Sequence, residues 1–216
     1  MIDVVFLSYE ITKGMKSFGP KGIIPIGKRN QEPLIVKQLN QFNNSRKYRI
    51  NIIVGFEHDK IIKAVHQAKI SANIIYNHNF AKDNAGYAIR LALNKIGKSN
   101  FLFIDNGIIT NYSPKDTSYS KIPLLKKNDN GLFEIGATKS ETIEYLFYDL
   151  NPRWSELLFI SKNDFDAIAN VSNNNRIDHL FFFEYINLLI DHNIDIHSDI
   201  IHKKQIQKIL NHKSIK

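Results

Sequence analysis

The stretch Tyr76-Asn77-His78-Asn79-Phe80-Ala81-Lys82-Asp83-Asn84-Ala85-Gly86-Tyr87-Ala88-Ile89-Arg90-Leu91-Ala92 passes from a β-branched run through a polar turn into a pattern of helical period. Asn73 to Tyr76 predicts a strand. Ile89, Leu91, Ala92 and Ile96 predict a helix that faces a sheet and stops at Gly97. Asn84 stands where an N-cap is wanted. The three asparagines of the turn, Asn77, Asn79 and Asn84, are candidates to line a small binding pocket.

The same alternation extends in both directions. Val4 to Ser8 reads as a buried strand, Pro33 to Leu39 as a helix with proline in its first turn, Ile50 to Gly55 as a strand, and Asp59 to Gln67 as a helix with Ile61, Ile62 and Val65 on one face. Phe101 to Ile104 is a fully apolar strand that ends at Asp105-Asn106-Gly107, the end at which an open α/β sheet presents its ligand site. This pattern predicts an α/β fold: one three-layer domain over residues 1–216 with a mainly parallel, Rossmann-like sheet. Thr110 to Asn130, polar and carrying Pro114 and Pro123, reads as an extended loop. Beyond it come a strand around Leu132 to Thr138, a strand at Leu157 to Ser161, a helix at Asp164 to Val171 and a break at Ser172 to Asn175. A very apolar helix at His179 to His192, a strand at Ile194 to Ile201 and a basic helix at Lys203 to Asn211 complete the chain.

With 216 residues, 43% of them hydrophobic, the chain can bury one full-sized core. No apolar run approaches the roughly eighteen residues of a membrane span, and Met1 to Leu7 reads as a strand rather than a leader, which predicts a cytoplasmic protein, or an intracellular or virion one if viral. The absence of cysteine excludes disulfides and thiolate chemistry and leaves oxygen or histidine ligands for any metal, with Mg²⁺ the expected one. Heavy use of isoleucine, asparagine and lysine is the composition of an AT-rich genome, such as a phage. A net charge of +8 favours anionic partners, nucleotides and phosphorylated substrates among them; scattered lysines without interleaved aromatics argue against nucleic acid.

Met15-Lys16-Ser17-Phe18-Gly19-Pro20-Lys21-Gly22-Ile23-Ile24-Pro25-Ile26-Gly27-Lys28 resembles the signature loop of the nucleotidyltransferases that make sugar-nucleotides or CDP-choline. The Pro33 to Leu39 helix, Gly55-Phe56, the Tyr76 to Ala92 segment, Trp154 to Phe165 and His179 to Ile201 follow in that family's order. The resemblance implies a GT-A-like fold that binds a nucleoside triphosphate with Mg²⁺ and transfers its nucleotidyl group to a phosphorylated sugar or choline, releasing pyrophosphate. It implies Lys21 on the phosphates, Asp105 at the metal, and Asn77, Asn79 and Asn84 near base or acceptor.

Several departures bear on that expectation. Glu10 and Thr12 stand where the family has a Gly-x-Gly turn, and Gly14 where it has an arginine; Lys13 and Lys16 are candidates to replace that charge. Asp105 is the metal aspartate in one register and its upstream neighbour in another, in which Gly107 replaces the ligand. The second metal carboxylate is expected within Ser198-Asp199-Ile200-Ile201-His202, where Ile201 takes its place and Asp199 serves only after a register slip. These departures also suit a descendant that keeps the fold as a binding or assembly module with a protein partner, for example a phage structural component; a GT-A glycosyltransferase is the third reading. His192, His197, His202 and His212 lack helical metal spacing and read as surface residues. Phe181 to Phe183, Tyr185 and Trp154 read as core.

Overall fold

The computed structural model describes residues 1–11, 17, 19–27, 31–82, 84–125, 133–138 and 140–209; Lys13 and Lys16 lie outside them. In chain order the elements are β1 (Ile2–Ser8), β2 (Pro25–Ile26), β3 (Glu32–Pro33), α1 (Leu34–Leu39), β4 (Tyr48–Val54), α2 (His58–Gln67), β5 (Asn73–Tyr76), α3 (Ala85–Ile96) and β6 (Asn100–Ile104). There follow β7 (Ile108–Thr110), β8 (Lys121–Leu125), β9 (Ile135–Ala137), β10 (Leu146–Tyr148), β11 (Leu157–Ile160), α4 (Phe165–Asn174), α5 (Phe182–Asp191), β12 (His197–Ile201) and β13 (Ile206–Lys208).

Seven strands form the central sheet in the order β12-β8-β11-β6-β1-β4-β5. β1, β4, β5 and β6 are mutually parallel, β12 is parallel to β8, and β11 runs against both β6 and β8. The period of two along each strand sorts side chains between two cores. Val5, Leu7, Phe101, Phe103, Leu158 and Ile160 pack beneath α3, α4 and α5, whereas Val4, Phe6, Leu102, Ile104, Leu157 and Phe159 pack beneath α1 and α2. Each such branched or aromatic side chain stabilises the fold by about 2 kcal/mol when fully buried. The three-layer, mainly parallel α/β architecture expected from the sequence is thus observed.

Four local expectations are corrected. The region read as an open loop contains β8, which joins the main sheet: its ladder to β11 is confined to Lys121–Phe159 and resumes as a bridge at Leu124–Trp154, so the missing N–H of Pro123 falls in the gap. α4 continues to Asn174 rather than breaking at Ser172, because the Ser172 hydroxyl bonds the Ile168 carbonyl and the Tyr185 hydroxyl inside the core. The last apolar helix starts at Phe182, after His179 to Phe181 have been used to hold α3. In place of a basic terminal helix, Lys203–Gln205 form a 3-10 turn and β13 pairs antiparallel with β7, with Lys208 opposite Ile108. The apolar side of this segment is spent on the sheet side of the fold: Ile206 joins the α1/α2 core and Ile209 packs with Ile109.

Candidate active site

Parallel strands end together, so the residues just past β1 and β6 meet at one edge. β1 delivers Glu10 there and β6 delivers Asp105. The antiparallel register Leu157–Ile104 places Glu156 directly beside Asp105, and the Asp105 N–H donates to the Glu156 carbonyl at 3.2 Å. Glu156 holds φ +60°, a left-handed conformation that costs a non-glycine residue about 1 kcal/mol or more and that recurs at functional sites. Two lysines join these three carboxylates. Lys21, only 8% exposed, donates from Nζ to the Asn106 carbonyl at 3.1 Å, and Lys208 Nζ forms an ion pair with Glu156 Oε1. The Lys208 ammonium also lies 5.1 Å from the centre of the Phe133 ring.

The turn between Asp105 and β7 is packed against Lys21 and the Ile209 carbonyl. Gly107 has φ +99°, and a Cβ there would stand 2.4 Å from Lys21 Nζ and 2.8 Å from the Ile209 carbonyl oxygen. A side chain at 107 is therefore opposed by the backbone conformation and by the Ile209 carbonyl. Asp105 Oδ1 accepts the Asn106 N–H at 2.6 Å, so it also caps its own turn.

The cluster titrates abnormally. Burial, with the charges of Asp105 and Glu156, raises the Glu10 carboxyl to about 7 against the Tyr9 hydroxyl and Lys21. Burial and the Asp105 charge likewise hold Glu156 at about 7 against Lys208, and burial raises Asp105 against Lys21 and Lys208. Burial also lowers Lys21, and its carboxylate neighbours counter that. Three carboxylates and two ammoniums thus share one partly desolvated floor, a density of perturbed groups typical of functional sites.

A cavity of about 190 Å³ opens from this floor, and Glu10, Asp105, Glu156 and Lys208 line it. Tyr148, Trp154, Phe181, Phe182 and Phe183 give the cavity an aromatic wall, and Glu134 is also among its lining residues. Trp154 meets Phe182 edge-on at 5.0 Å between ring centres, and Tyr148 meets Phe183 at 5.6 Å. The wall is positioned by polar clamps. Asn187 bonds both the N–H and the carbonyl of Leu146, docking β10 on α5. Asn84 donates from its side chain to the His179 carbonyl at 2.7 Å and from its backbone to the Asp178 carbonyl, fastening the loop that carries Phe181. Gly86 lets that loop approach: a Cβ there would lie 2.3 Å from the Ile177 carbonyl oxygen.

Lys21 and Asp105 therefore come together, and Glu10 joins them. Asn77, Asn79 and Asn84 do not line the cavity, although Ala85 does. Asn77 makes an Asx turn by accepting the Asn79 N–H at 2.9 Å. Asp199 lies on β12, where it accepts a 2.9 Å bond from the Tyr112 hydroxyl, and it is not among the cavity residues. Three of the four buried polar atoms without a partner among the described residues, Ser8 Oγ, Asn77 Nδ2 and Asn106 Oδ1, follow the carboxyl ends of β1, β5 and β6. A larger open groove of about 570 Å³, with Arg46, Arg49 and Tyr48 among its residues, lies at the opposite, amino-terminal ends of these strands.

The arrangement does not fit a divalent cation. Among the described residues no group of three or more histidine, aspartate or glutamate side chains is disposed to hold a metal ion. One oxygen of Asp105 caps its own turn, Glu156 is paired with Lys208, and Asp199 accepts from Tyr112 away from the cavity.

No protein-family model matches the sequence, and no curated protein sequence matches it. Solved structures do. CTP:phosphocholine cytidylyltransferase from Streptococcus pneumoniae superposes with a TM-score of 0.74 over 99% of this chain and 95% of that one, at 15% identity. The inositol-1-phosphate CTP transferase of T. maritima gives 0.76 over 99% and 91%, at 10% identity. The fold is that of the nucleotidyltransferases. A nucleoside-diphosphate-sugar pyrophosphorylase from Vibrio cholerae shares this nucleotidyltransferase fold at a TM-score of 0.69 and 14% identity, over 96% of this chain and 95% of that one. Likeness at this level of identity carries architecture, and the chemistry rests on the cleft itself.

Four features of that cleft escaped the sequence. Glu156 and Lys208 had no spacing signal, since one depends on strand register and the other on a β13 read as helix. Trp154 and Phe181 to Phe183 read as core, and Phe182 and Trp154 are indeed buried, yet they present one face to the cavity while Phe181 is 56% exposed. Glu134 gave no signal. Trp154, an aromatic beside Pro152-Arg153 at a strand start, was the feature from which the wall was most nearly legible.

Proposed function

We propose that the chain is a nucleotidyltransferase whose acceptor is a small phosphorylated alcohol with a cationic head, of the phosphocholine kind. The observation that carries this reading is the cavity at the carboxyl edge, lined by aromatic rings and carboxylates together. An aromatic wall attracts a quaternary or protonated amine through the ring faces, and nearby carboxylates add to that attraction. A volume of about 190 Å³ accommodates such a head. The nucleotidyltransferase fold and the name of the pneumococcal neighbour agree with it.

In this reading the head group lies against Tyr148, Trp154 and Phe183, with the Glu10 and Glu134 carboxylates lining the same cavity. The acceptor phosphate is directed to the two lysines. One of its oxygens attacks the α-phosphorus of the triphosphate, the bond to the β-phosphate breaks, and pyrophosphate leaves. Lys21, nearest the Asp105 turn, balances charge that develops on the phosphates. No step is assigned to a metal, because the donors present do not fit one.

Pyrophosphate release tests the reading: each of the four common triphosphates is offered with phosphocholine, phosphoethanolamine, glucose 1-phosphate or inositol 1-phosphate. Release with the two cationic acceptors and not with the others is expected. Release with glucose 1-phosphate alone would contradict it. One observation favours a second reading, binding without turnover: Glu10 faces Asp105 and Glu156 where a triphosphate needs positive charge. Saturable acceptor binding with no pyrophosphate from any pair would select that reading.

A further inference from the structure

The resemblance assigns a divalent cation to this edge of the sheet, and the residues found there point elsewhere. Its second metal carboxylate is expected on the closing strand, but Asp199 is held by Tyr112 at 2.9 Å and does not line the cleft. The chain continues past that strand and returns. β13 pairs with β7, the Ile209 N–H donates to the Gly107 carbonyl at 2.9 Å, and this brings Lys208 over the cavity floor. The C-terminal segment thus delivers an ammonium group to the acidic edge.

That ammonium is firmly placed. Lys208 pairs with Glu156 while the two side chains are 15% and 14% exposed, and Glu156 keeps its left-handed backbone conformation at this point. Lys21 lies against the Asp105 turn, buried and bonded to the Asn106 carbonyl, with Nζ 2.4 Å from where a Cβ at Gly107 would stand. Lys21 thus lies against the Asn106-Gly107 turn, and Lys208 against Glu156, the ladder neighbour of Asp105. A divalent ion bound to Asp105 and Glu156 would have to displace Lys208 from its partner and then sit beside it, against like-charge repulsion in a poorly solvated site.

We propose that Lys208, with Lys21, supplies at this site the positive charge that the resemblance assigns to Mg²⁺, so that the triphosphate is bound without a divalent cation. Lys208 touches the phosphates and is in that sense part of the binding machinery; Glu156 positions it. The purpose assigned to the two charges rests on the function proposed above, whereas the exclusion of the metal does not.

Two measurements separate these parts. Mn²⁺ binding, followed by electron paramagnetic resonance without nucleotide, compares the full chain with Lys208→Asp. The expected result is no saturable site in the parent chain up to millimolar Mn²⁺ and at least tenfold tighter binding in Lys208→Asp. Parent binding as tight as that of the variant overturns the proposal. Should Lys208→Asp not fold, Mn²⁺ binding by the parent decides alone: a saturable micromolar site overturns it and the lack of one supports it. The second measurement is thermal stabilisation by each triphosphate in EDTA and in Mg²⁺. Equal stabilisation in both, lost in EDTA for Lys208→Gln, is expected; stabilisation of the parent chain only with Mg²⁺ overturns the proposal. If no triphosphate stabilises the chain under either condition, the proposed function falls, and the Mn²⁺ comparison still decides the metal question.

Discussion

The two ends of the central sheet treat buried carboxylates in opposite ways. At the amino-terminal end Asp3 is fully buried and accepts hydrogen bonds from Arg49 Nε at 2.5 Å, Asn51 at 2.9 Å and Ser99 at 2.6 Å. Burial pushes its carboxyl up, yet bonds from Arg49, Ser99 and Asn51 outweigh that and hold it below the ordinary aspartate range. At the carboxyl end Glu10, Asp105 and Glu156 have lysine partners but also one another, and burial holds all three above their ordinary range. A completed network stabilises the fold; an overcrowded one leaves groups whose charge a ligand can improve. The difference supports the proposed site at the carboxyl end without appeal to any relative.

The comparison can be broken most strongly at Asp3. Asp3→Ala leaves Asn51, Ser99 and Arg49 without their acceptor and should lower stability by about 3 kcal/mol in chemical denaturation, with little effect on acceptor affinity. Gly107→Ala attacks the other end: strain at φ +99° and collision with Lys21 should cost about 2 kcal/mol and remove triphosphate-dependent stabilisation in a thermal melt.

Dependence on pH distinguishes the ends by sign. Glu10 and Glu156 titrate at about 7 in the folded chain against an ordinary 4.5, so the stability they contribute is complete below that ordinary value and is lost as pH rises through about 7. Asp3, lowered, contributes stability that is present above its ordinary value and lost only as pH falls through its folded one. The parent chain should therefore be less stable at pH 8 than at pH 5.5. Glu10→Gln should recover about 1 kcal/mol at pH 8, a rise of roughly 2–4 °C in Tm, and flatten that slope. The smallest effect is expected at the aromatic wall. Tyr148→Ala, at a half-exposed position, should leave Tm nearly unchanged and weaken a cationic acceptor about three- to tenfold, as an exposed cation–π contact allows.

Local sequence carried the sheet and most helices, because buried strands such as Phe101 to Ile104 and caps such as Gly97 report themselves within a few residues. It carried Lys21 and Asp105 through their position in a motif and at a strand end. It did not carry Glu156, whose place beside Asp105 is set by an antiparallel register between segments some fifty residues apart. Lys208 was hidden for a related reason: Ile206 and Ile209 fit a helix stripe, and only pairing with β7 turns the segment into a strand. β8 was concealed by Pro123, which the interrupted ladder tolerates. The asparagines of the Tyr76 to Ala92 segment were legible as important, but Asn84 acts by holding the loop behind the aromatic wall, a long-range contact that no turn signature encodes.

Trp154 is the chain's one tryptophan and stands in the cavity wall, so its fluorescence reports directly on occupancy there. Titration with phosphocholine should give a saturable change in that signal, weakened in Tyr148→Ala and unaffected by Arg46→Ala in the groove at the opposite end of the sheet. A signal that does not respond, or one that responds equally to glucose 1-phosphate and is lost in Arg46→Ala, would contradict the placement of the acceptor at the carboxyl edge.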